Sequence, residues 1–67
     1  MTDKSERLFD IDNRIAAVMQ QLGELIERSQ AITDAAAEAD LMREIEDRET
    51  QLTALREMRE ALAETAD

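Results

Sequence analysis

The stretch Ser29–Leu41, SQAITDAAAEADL, decides the fold. It lies between two charged, periodically apolar segments and contains neither glycine nor proline, so composition alone permits helix straight through it. Ala35, Ala36 and Ala37 are the best helix formers available, and no C-cap glycine closes the segment before them. The phase of the flanking segments argues the other way.

Upstream, Leu8, Ile11, Ile15, Val18, Leu22, Leu25, Ser29 and Ile32 are spaced by alternating threes and fours, an uninterrupted heptad seam with Ser29 its only polar member. Continued as one helix, this seam would run through Ala36, Ala39, Arg43, Glu46, Thr50 and Thr53, a mostly polar stripe. The apolar positions downstream are instead Leu41, Ile45, Leu52, Leu55, Leu62 and Ala66, two residues out of phase with it. Coiled coils ordinarily absorb shifts of three or four residues, not two. On one straight helix the two stripes would point roughly 100° or more apart, so no single partner could cover both. Two antiparallel helices of near-equal length cover each other end to end.

The expected architecture is therefore an all-α, coiled-coil-like antiparallel hairpin forming a single domain over 1–67. Helix one spans about Lys4 to about Ala31, the turn about 32–37, and helix two about Ala37 to about Glu64, each helix on the order of 40 Å long. Asp3 stands in capping-box spacing to Glu6, and Thr33 or Asp34 can cap helix two. Asp34, Glu38 and Asp40 complement the positive end of its dipole. Opposite charges four apart, Arg43 with Asp47, Glu44 with Arg48 and Arg56 with Glu60, support helix two.

One shared seam does not use the full width of either apolar face. Met19 and Ile26 widen the first stripe, and Met42 and Met58 flank the second. Pairing two hairpins into a four-helix bundle would cover these residues, so a homodimer is expected. Its oligomer or partner interface would comprise Leu8, Ile11, Ile15, Val18, Met19, Leu22, Leu25 and Ile26 of helix one. Helix two would add Leu41, Met42, Ile45, Leu52, Leu55, Met58 and Leu62. Arg48 and Arg59 interrupt the second seam, where their stems can pack while their heads reach Asp or Glu. Phe9, the only aromatic residue, lies off the seam and suits an end cap. Gly23, also outside the stripe, reads as an exposed position or as a point of close approach by another backbone.

Composition excludes much chemistry. The chain has no cysteine and no histidine, so disulfides, thiolate metal sites and the commonest general base are missing. Asp10-Ile-Asp12-Asn13 opens like a calcium loop, but its sixth position is Ile15 and its twelfth Gln21, where glycine and glutamate are required. Carboxylate pairs such as Glu46 with Glu49 and Glu57 with Glu60 share a helix face without the burial that tunes a catalytic acid. No phosphate loop or activated nucleophile is present, and no catalytic residue, cofactor or metal is expected. No apolar run is long enough for a membrane span and the amino terminus lacks a signal-peptide core, so the expectation is a cytoplasmic protein without a membrane partner.

Residues 1–33 carry four basic and six acidic side chains, whereas residues 34–67 carry four and eleven, within a net charge of −9. Direct binding of nucleic acid is disfavoured, because phosphate neutralisation needs clustered Lys and Arg. Glu44, Glu46, Asp47, Glu49, Glu57 and Glu60 form a candidate acidic face for a partner with a basic surface. The function expected is a small non-catalytic protein–protein interaction module, a regulator, inhibitor or adaptor acting through a helical face. Its alternatives are an assembly or secretion co-chaperone hairpin completed by a heterologous partner, and an acidic DNA mimic that inhibits a nucleic-acid-binding protein. In length and arrangement such a hairpin is similar to small plasmid- or phage-encoded bundle regulators and to hairpin co-chaperones of secretion systems, a likeness of architecture alone.

Overall fold

A computed structural model describes residues 3–65. It consists of α1 (Lys4–Ala31) and α2 (Ala35–Glu64), folded back on each other as an antiparallel hairpin measuring 52 × 15 × 14 Å. The two-residue phase break is thus resolved as a reversal of the chain. Ala66, the last position of the second seam, lies outside the described residues.

Both helices begin on an aspartate. Asp3 has extended backbone angles, and its Oδ1 accepts the Glu6 N–H at 2.8 Å, satisfying one of the donors that a helix start leaves open. Asp34 does the same for α2, accepting the Ala36 N–H at 3.3 Å while its carbonyl takes the Glu38 N–H at 2.9 Å. Once Asp34 caps, Ala35 and Ala36 have nothing to keep them out of the helix and are its first residues. The reversal is therefore only Ile32, Thr33 and Asp34, shorter than the spacing suggests. Ile32 leaves α1 with extended angles, φ −85° and ψ 132°. No described residue has positive φ, so the turn needs no glycine.

α1 carries its seam in two rows. Ile11, Val18 and Leu25, seven residues apart, are buried, while Leu8, Ile15, Leu22 and Ser29 are half-buried beside them. Ser29 satisfies its hydroxyl locally by donating to the Ile26 carbonyl at 2.6 Å. In α2 only Leu41 and Ile45 are buried, both within its first eleven residues, about three turns from the reversal. They join Leu25 in one cluster against which Leu22 and Ile32 pack, each buried side chain being worth about 1.5–3 kcal/mol. Leu52, Leu55 and Leu62 are half-buried. Among the described residues, no helix is long and apolar enough to cross a membrane.

Candidate interaction surface

The hairpin leaves several of its large apolar side chains uncovered. Met19 and Ile26 are 51% and 47% exposed, Met42 and Met58 are similarly open, and Phe9 is 66% exposed. Burial removes Ile11, Val18 and Leu25 from consideration as free surface, so these outlying exposed positions are the main apolar side chains another molecule could meet.

Helix geometry sorts them onto two sides. Met19 and Ile26 each follow a buried residue, Val18 and Leu25, by one position, and Met42 follows Leu41 in the same way. In an antiparallel pair, residues that follow the core positions of both helices share a flank, so these three belong together. Met58 lies on the other flank, beside Arg7, Arg14 and Leu62, in an open groove of about 510 Å³ at the free end. The four flanking residues grouped by the sequence are therefore divided three to one.

A second stripe runs along α1 next to the first. Phe9, Ala16, Met19, Gly23 and Ile26 follow the alternation of threes and fours, interrupted once at Asp12. Gly23 belongs to this stripe; it is outside the core seam but not outside the apolar surface. It sits within a helix with no positive φ, and a Cβ built on it would meet nothing within 4 Å. Glycine at such a place costs about 1 kcal/mol against alanine, with no return inside the hairpin. The stretch Ile15–Gly23 also lacks any charged side chain, the longest such run in a chain that is 37% charged. Depletion of charge is what distinguishes the centre of an interface from ordinary surface. The sequence signal was present in the 16, 19, 23, 26 spacing, but the richer core seam beside it masked it.

Two arginines occupy seam positions of α2 with different results. Arg59 crosses to α1, its Nε donating to Asp12 Oδ1 at 2.5 Å and its Nη2 to Oδ2 at 3.5 Å. The hydrogen bond and the charge of Asp12 hold this guanidinium above the ordinary arginine value. Arg48 is half-buried, and its Nη1 donates to its neighbour Asp47 at 3.0 Å. Its Nε is buried and meets no acceptor among the described residues. Arg43 turns back to Asp40 at 3.3 Å rather than forward to Asp47, which instead holds Arg48 and Gln51.

The acids expected to form a partner face, Glu44, Glu46, Asp47, Glu49, Glu57 and Glu60, are all exposed. Glu44 shares a shallow depression with Arg28 and Arg48, and Glu46 and Glu49 share another with Thr50 and Thr53, on a different side of α2. With Asp47, Glu57 and Glu60 they wrap the outside of the helix. No group of acids among the described residues is arranged to hold a metal ion.

The class these features define is an antiparallel two-helix hairpin with a partly uncovered apolar flank. In comparisons with known proteins the chain matches no family model, no curated protein and no solved structure.

Proposed function

We propose that the protein is a small, non-catalytic protein–protein interaction module that works as a homodimeric four-helix bundle. The observation that carries this reading is the exposure of Met19, Ile26 and Met42 on one flank of a hairpin whose own core buries five side chains. Bundle helices with apolar faces wider than one seam gain stability when a second pair covers them. With that flank closed, the acidic exterior of α2 is the surface left to a further partner, and its charge suits one with a basic surface. A regulator, inhibitor or adaptor needs no more than this.

Sedimentation equilibrium tests the first part: the chain is expected at about 15 kDa, twice its 7.6 kDa, with a Tm that rises with concentration. A monomer mass throughout the micromolar range, with a concentration-independent Tm, would discard the homodimer. For the second part, a pull-down from lysate is titrated with salt. Partners held by the acidic exterior are lost steeply between about 0.1 and 1 M salt, whereas apolar contacts persist.

A further inference from the structure

The second stripe of α1 has a pattern that fits one occupant, another copy of itself. Resting on the homodimer reading above, we infer that the two copies meet through α1 packed antiparallel on α1. Met19 of each copy would lie over Gly23 of the other, and Ile26 over Ala16. Both pairs are centred on the same residue level, that of Gln21, so a single two-fold axis there satisfies both at once. Each large side chain then meets a small one, the condition for close-packed interdigitation. In a parallel arrangement Met19 would face Met19 and Gly23 would face Gly23, leaving a bulge beside a void.

Three observations support this occupant. Gly23 has no neighbour within 4 Å of a would-be Cβ in the hairpin, so nothing inside the hairpin requires a glycine there and the space over it is open to a second copy. The charge-free run Ile15–Gly23 brackets the axis, so the symmetric approach brings no like charges together at its centre. The area fits as well: the hairpin exposes 5225 Å², whereas a compact chain of 7.6 kDa exposes about 4,300 Å². The elongated hairpin, 52 × 15 × 14 Å, thus has more surface open to a second copy than a globule of its mass. The same axis brings Phe9 level with Thr33 at the turn of the second copy, giving the exposed ring a surface to cover.

The test uses the full chain in sedimentation equilibrium. Gly23→Met places a second large side chain opposite Met19 and is expected to weaken dimerisation at least tenfold, while circular dichroism shows helicity undiminished. The double variant M19G/G23M restores one large and one small residue per contact with unchanged composition, and its dimer constant is expected within about threefold of the parent. Because the chain has no cysteine, Asn13→Cys carries a single spin label. Two antiparallel copies separate these labels by about 24 Å along the axis, the rise from position 13 to its level-mate Ser29. A dimer indifferent to Gly23→Met, or a label separation under about 15 Å, overturns this arrangement and leaves the homodimer reading standing. A chain monomeric at every concentration overturns both.

Discussion

At the closed end of the hairpin Leu25, Leu41 and Ile45 form a buried cluster with Leu22 and Ile32 packed against it. At the open end Ile11 alone is buried among the described residues, and α2 answers it with half-buried Leu55 and Leu62. There the helices are joined by polar contacts: Arg59 to Asp12, and Lys4 Nζ to the Thr65 carbonyl at 2.7 Å. Apolar burial is non-directional and is not screened by salt, whereas exposed ion pairs contribute little net and fade as ionic strength rises. One seam thus has a stable half and a pliable half. The difference begins in sequence, where the second helix places leucine and isoleucine near the turn and arginine at two of the seam positions beyond it, Arg48 and Arg59.

The largest expected effect lies at the closed end. Leu41→Ala should lower unfolding free energy by about 2–5 kcal/mol in urea titrations at fixed concentration, because Leu41 is only 5% exposed. Leu62→Ala, half-buried, should cost clearly less; equal losses would abolish the contrast between the ends. Next comes Arg48, at the border of the two halves. Arg48→Leu removes a buried Nε that meets no acceptor among the described residues and should stabilise the fold by about 1–2 kcal/mol, read as a higher urea midpoint. Asp34→Ala should cost about 1 kcal/mol through the lost α2 cap, and Asp3→Ala less, since the first turn of the helix it starts has no buried side chain. Hydrogen exchange should show the same asymmetry, slow around Leu25 and fast around Leu8.

The smallest effect is expected at the Asp12 and Arg59 pair. Asp12→Asn should shift Tm least of these variants, and the shift should shrink further in 1 M salt. The sign of the linkage is simple here. A guanidinium raised above its unfolded value contributes its stabilisation at every lower pH and loses it only in strong alkali, so titration of Arg59 gives no pH dependence around neutrality.

Much of this was legible in the residues. The seam of α1, the cap at Asp3 and the reversal itself follow from periodicity and local cap chemistry, while the second cap was narrowed to Thr33 or Asp34 and falls on Asp34. The length of the turn was less so. Three alanines read equally well as loop filler or as helix, and only the Asp34 cap placed Ala35 and Ala36 inside α2. Ion pairs were legible as possibilities, not as choices. Arg43 had acids both three residues before and four after, and the earlier one holds it. Arg59 stood next to Glu60 and opposite α1, and Asp12 across the hairpin took it.

By itself the sequence determined that the chain is two helices, where the first begins, and which stripe of each seeks cover, since these depend on contacts within a few residues along the chain. The tertiary pairing alone decided how completely the stripes are covered. It buried Ile11, Val18 and Leu25 while leaving Met19, Ile26 and Gly23 on an open flank, and it divided Met42 from Met58. Two helices share one line of contact, so any apolar surface wider than that line must lie outside it. Which residues fall outside is set by how the helices are rotated against each other, a property of the pair that neither segment carries alone.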